Sequence, residues 1–171
     1  MQEIYRRYLK IFAVGILATA AGSALGQAVV RTPLPDGNDF PISAAVTVKA
    51  ATDTVYLSGT LPPVIDKDAP KGSAAAFGDM TTQTVGALNA IKSTLVRLGL
   101  GMGDIVKMTI FMIPDPKDNK LDFAGMMAGY TQFFGTKDQP NKPARSAVQV
   151  AALALPGPML EIEVIAAKPR H

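Results

Sequence analysis

The 171-residue chain has no cysteine and one histidine, the terminal His171, which excludes disulfides, thiolate nucleophiles, cysteine-ligated metals and a serine–histidine relay. At 48% hydrophobic and 18% charged it is a globular sequence, of a size that suits one domain. Three of its 17 basic and one of its 14 acidic residues lie in residues 1–10, so 14 and 13 remain from residue 29 onward, a net charge of +1 with no basic cluster to mark a nucleic-acid surface.

Residues 1–28 read as a targeting segment. Arg6, Arg7 and Lys10 precede an apolar run over 11–26, and Gly26 and Ala28 supply the small residues of a cleavage site after Ala28. The expectation is a cleaved signal peptide and export to the periplasm or beyond. An apolar run of 16 residues is short for a membrane span, and retention of the leader as an anchor is the alternative.

Residues 29–41 hold Pro33, Pro35, Asp36, Gly37 and Asn38 and read as a flexible mature N-terminus, ahead of a single domain over 42–168. Two short β-type runs, 44–49 and 54–58, suggest a hairpin turning at 51–53. Ser58 and Gly59 end the second run. There the glycine either admits a ligand close to the backbone or meets a dihedral need. Residues 61–78 hold three prolines and two glycines without a period and read as a long surface loop.

Asp79 is placed to cap a helix with apolar Val85, Leu88, Ile91, Leu95 and Leu98, a polar face of Gln83, Asn89, Lys92 and Arg97, and a stop at Gly99. The run 105–113 reads as a central strand ended by Pro114 and Pro116. A second helix over 122–134 carries Phe123, Met126, Met127, Tyr130, Phe133 and Phe134, with Gly135 its terminator. Two strands close the chain. In the first, Arg145, Ala147 and Gln149 alternate with Ser146, Val148 and Val150; in the second, Leu160, Ile162 and Val164 alternate with Glu161, Glu163 and Ile165. The turn at 155–158 should fold them near each other, placing an arginine and a carboxylate in one site, although charges at strand mouths are also commonly solvated. Both helices should lie on one face of a mixed sheet, an α+β arrangement whose uncovered second face argues for self-association.

The sequence YLSGTLP, the segment LGLGMGDIVKMTIFM, the DFAGMMAGYTQFF helix and the PARSAVQVAAL and LEIEVIAA strands occur in an order that resembles the RidA/YjgF/YER057c/UK114 family over about residues 40–168. The resemblance implies a chorismate-mutase-like fold, a homotrimer with clefts between subunits, no cofactor and no metal, and hydrolysis of reactive imines or enamines to keto acids and ammonia. It places the family's substrate-carboxylate arginine on Arg145 and its water-positioning glutamate on Glu161, both as catalytic residues. Ser58, Gly59 and Ala147 join Arg145 as substrate-binding positions. Two departures stand out: Ala45 where the family carries a tyrosine, and Met127 where it often carries an asparagine. Both enlarge or dry the pocket and bear on which substrate is preferred. Glu163 is a lesser candidate for the acid–base group.

The implied partner is a small carboxylate-bearing imine or keto compound. The alternatives to a deaminase are a carboxylate-binding module without turnover, and an accessory trimer tethered to a membrane complex through a retained leader. A ribonuclease activity attributed to relatives fits poorly with a near-neutral mature chain lacking a histidine pair.

Overall fold

The computed structural model describes residues 28–170, so the expected leader, apart from Ala28, lies outside the described residues. Among those described, no helix is long and apolar enough to cross a membrane. Eight principal elements follow in order: strands β1 (Val29–Thr32), β2 (Ala45–Val48) and β3 (Thr52–Thr60), helix α1 (Met80–Arg97), β4 (Ile105–Met112), helix α2 (Phe123–Tyr130), β5 (Ala144–Gln149) and β6 (Leu160–Pro169).

The strands form a four-stranded mixed sheet of order β3-β6-β4-β5 and a separate β1-β2 ribbon. Two sequence expectations are corrected here. Val29–Thr32, expected to be irregular, is an antiparallel strand opposite β2, because the prolines and glycine begin only after it. The expected hairpin between 44–49 and 54–58 does not form; β2 takes β1 as its partner and β3 pairs with β6. Arg31 ties the ribbon to the domain by donating to the carbonyls of Gly103 (2.7 Å) and Ile105 (3.2 Å).

β4 sits inside the sheet, antiparallel to β6 on one side and parallel to β5 on the other. Its alternate residues Met108, Ile110 and Met112 are fully buried, as are Leu160 and Ile162 beside them. These side chains face Leu88, Ile91 and Leu95 of α1 and Met126 and Tyr130 of α2 in one core, so both helices cover the same sheet face. Each such aliphatic residue contributes about 2 kcal/mol through burial.

α1 begins where Asp79 accepts a hydrogen bond from the Thr82 amide (2.7 Å) and ends before Gly99, whose φ of +70° suits its left-handed turn. Gln83, expected in solvent, is buried: its amide donates to the Gly78 carbonyl (2.9 Å) and its oxygen accepts from the Met159 amide (2.7 Å). It pins the start of β6 to the start of α1. α2 is shorter than expected, since Gly125 and Gly129 weaken its helix propensity and turns carry the chain from Tyr130 to Gly135. Gly129 is also where α2 meets α1, for a Cβ there would stand 2.7 Å from the Thr84 Cβ. Phe123, expected on the apolar face, is exposed.

Candidate functional site

β5 and β6 are not neighbours. The turn at 155–158 carries the chain past β4, which lies between them, and this corrects the expectation that it folds Arg145 and Glu161 together. Along β4, Arg145 registers with Met108 and Glu161 with Phe111. Met108 points into the core and Phe111 points the other way, so Arg145 lies on the helix-covered face and Glu161 on the open face. Two strand spacings and three residues of offset put their Cα atoms on the order of 14 Å apart.

Arg145 is held by α2 and by the segment leading to β2. Its Nη1 donates to the Met127 Sδ (3.2 Å), and its guanidinium carbon lies 4.3 Å from the centre of the Tyr130 ring and 5.5 Å from that of Phe40. Tyr130 is fixed in turn by donating to the Pro41 carbonyl (2.9 Å) and by stacking on Phe134. Burial pulls the guanidinium below the usual arginine range, opposed by its interaction with Tyr130. Burial likewise drives the Tyr130 phenol well above its ordinary value, with Arg145 pulling the other way. Among the described residues no carboxylate lies within ion-pair distance of Arg145. A preorganised, partly desolvated guanidinium without a protein counterion suits a carboxylate ligand.

Glu161 sits on the opposite face beside a bulge in β3. Between the pairs Leu57–Val164 and Thr60–Ile162 the register slips by one residue, and Ser58 and Gly59 occupy the extra length. The Glu161 carboxylate lies over Gly59: a Cβ there would be 2.7 Å from the Glu161 Cδ and 3.1 Å from its Cγ. Gly59 has no positive φ, so it serves as space for this carboxylate and not as a turn. The Glu161 carboxylate accepts no hydrogen bond from the described residues, which leaves its oxygens to a water or a ligand. Ser58 and Gly59 are exposed at the same edge.

Ala147 follows Arg145 on the core face of β5, in register with Ile110. Glu163 points the same way as Glu161 and is exposed, in register with Thr109. Ala45 is in the β1-β2 ribbon and is exposed. The structure thus brings Ser58, Gly59 and Glu161 together and keeps Arg145 and Ala147 apart from them within one chain. Phe40 and Tyr130 belong to the Arg145 site although neither was expected there; the signal for Tyr130 was its spacing of three residues from Met127 on α2. A cavity of about 240 Å³ also lies between the ribbon and residues 140–142, but the guanidinium in its lining, Arg31, already serves two carbonyls.

Residues 38–168 match the family described as Endoribonuclease L-PSP. A RutC family protein of Pyrococcus horikoshii is 35% identical over 138 residues, which are 81% of this chain and 93% of the relative. The chain belongs to the RidA/YjgF family.

Its fold is the α+β, chorismate-mutase-like fold of that family. The crystal structure of E. coli TdcF with bound serine is 32% identical, with a TM-score of 0.52, covering 77% of this chain and 95% of that one. A Rid family protein of Yersinia pestis gives a TM-score of 0.60 at 23% identity, over 81% of this chain and 98% of that one, a likeness of fold alone.

Proposed function

We propose that this RidA/YjgF protein hydrolyses reactive 2-imino or enamino acids, or related imines, to keto compounds and ammonia, in clefts where Arg145 of one copy meets Glu161 of another. The observation that carries the reading is the division of the two groups between the sheet faces. A guanidinium without a counterion and a carboxylate without a donor cannot meet inside one chain, which supports a cleft in which each completes the other across an interface. A homotrimer that buries the open sheet face, where Tyr56 and Val148 are exposed, is the assembly this reading requires. The serine in the E. coli TdcF crystal is a small carboxylate-bearing molecule of the kind Arg145 suits.

In the proposed reaction Arg145 binds the substrate carboxylate through two parallel N–H donors and fixes the C=N carbon. Glu161 holds a water and takes its proton as the water oxygen attacks that carbon. The proton passes to nitrogen to give a carbinolamine; Glu161 then moves the carbinol hydroxyl proton to the same nitrogen, C=O forms as the C–N bond breaks, and ammonia leaves a keto acid behind. An imine is electrophilic enough that positioning supplies much of the acceleration.

Arg6, Arg7, Lys10 and the apolar run after them support export, with Val29, the first residue of β1, as the new N-terminus. An endoribonuclease reading finds less support, for the mature chain is nearly neutral and no described residue is a histidine.

The test is ammonia release from freshly generated 2-iminobutyrate and 2-iminopropionate. Acceleration over spontaneous hydrolysis is expected. Binding of a 2-keto acid without acceleration would leave a carboxylate-binding module in its place.

A further inference from the structure

Met127 is set apart from the other methionines of this chain. Of the eight, Met80, Met102, Met108, Met112, Met126 and Met159 are buried, and Met1 lies outside the described residues. Met127 is partly exposed, and its sulfur is 3.2 Å from the Arg145 Nη1. A small oxidant that reaches Arg145 therefore meets this thioether before any of the six buried ones.

We propose that Met127 is an oxidation site whose sulfoxide closes Arg145 to anions; its second half rests on the assignment of Arg145 as the carboxylate site. With hydrogen peroxide as oxidant, a sulfur lone pair attacks one peroxide oxygen and the O–O bond breaks. The departing hydroxide takes the proton from the transferred oxygen and leaves as water. Sulfur loses two electrons, and peroxide gains them.

The consequence follows from hydrogen-bond chemistry. A thioether sulfur is a weak acceptor, so the contact with Arg145 leaves the guanidinium free to turn toward a carboxylate. A sulfoxide oxygen is polar and a strong acceptor on the same side chain, within reach of the same Nη1. Held there, the guanidinium would have to give up that bond before it could present the same edge to a carboxylate through two parallel N–H donors, so anion affinity falls while the fold stays intact. Reduction of the sulfoxide restores the original weak acceptor, so the change is reversible.

The experiment treats the full protein with graded hydrogen peroxide, follows each methionine by peptide mass spectrometry, and titrates 2-ketobutyrate calorimetrically at each step. Met127 should gain its oxygen before any other described methionine. Affinity for 2-ketobutyrate should fall roughly tenfold or more in step with it and return after treatment with methionine sulfoxide reductases. In Met127→Leu, whatever its starting affinity, peroxide should leave that affinity unchanged. Earlier oxidation of a core methionine overturns the site. Oxidation of Met127 with undiminished binding, or an equal loss in Met127→Leu, overturns the closure. If the untreated protein binds no 2-ketobutyrate, the carboxylate-site assignment fails and the closure with it, while the order of oxidation still decides the oxidation site.

Discussion

Arg145 and Glu161 stand on opposite faces of one sheet, on either side of β4, the arginine in register with Met108 and the glutamate with Phe111. Neither is paired with a charged side chain among the described residues. Two unpartnered, opposite charges separated in this way give separable predictions.

Arg145→Ala removes a charge-assisted bidentate contact worth about 2–3 kcal/mol, so keto acid affinity should fall by roughly 30- to 150-fold. Glu161→Gln keeps shape and some hydrogen bonding but cannot take a proton from water. Its binding should persist while turnover falls roughly 100-fold or more. Calorimetry and imine hydrolysis, run in parallel, separate the two. Full activity in Glu161→Gln would pass the role to Glu163.

Gly59→Ala should act through Glu161. The new methyl would stand 2.7 Å from the Glu161 Cδ, and the side chain must swing away. Since Gly59 is exposed and has no positive φ, stability should change little while kcat drops at least ~10-fold, as read by steady-state kinetics beside a thermal melt.

Gln83→Leu should destabilise the fold by about 2–3 kcal/mol, because it strands the buried Met159 amide and takes the partner from the half-buried Gly78 carbonyl. Urea denaturation gives the loss. A change below about 0.5 kcal/mol would mean that neighbouring groups take over both bonds.

Tyr130 sets an alkaline limit. Its phenol titrates higher folded than its ordinary value of 10.0, so its stabilising contribution is complete below that pH and is lost as pH rises above it, where only the unfolded chain releases the proton. Tyr130→Phe forfeits the bond to Pro41 at a cost of about 1 kcal/mol near neutrality. The stability gap between wild type and variant should narrow by about 1 kcal/mol between about pH 9 and about pH 11, as urea unfolding measures it.

Local pattern made much of this structure readable from sequence. The Asp79 cap, the Gly99 stop, the central β4 and the alternation of β6 all follow from side-chain period and capping chemistry acting within a few residues. What escaped was decided by partners distant in sequence. β2 prefers β1 to β3, Gln83 is buried because the Met159 amide needs an acceptor, and β4 separates β5 from β6. The site divides in the same way. Resemblance singled out Arg145, Glu161, Ser58 and Gly59 as candidates, but the face each occupies depends on strand order, and Phe40 joins Arg145 across a sequence separation that no local motif records.

The most direct test of the shared cleft mixes two defective variants. Arg145→Ala and Glu161→Gln, each confirmed as a trimer by light scattering, are unfolded together in equal amounts and refolded. If each cleft takes its arginine from one copy and its glutamate from the next, about one quarter of the clefts regain both residues, and deaminase activity should return to about one quarter of wild type. If both residues of a cleft came from one chain, no mixture could restore an intact pair. Activity no higher than the mean of the two variants would therefore contradict the account.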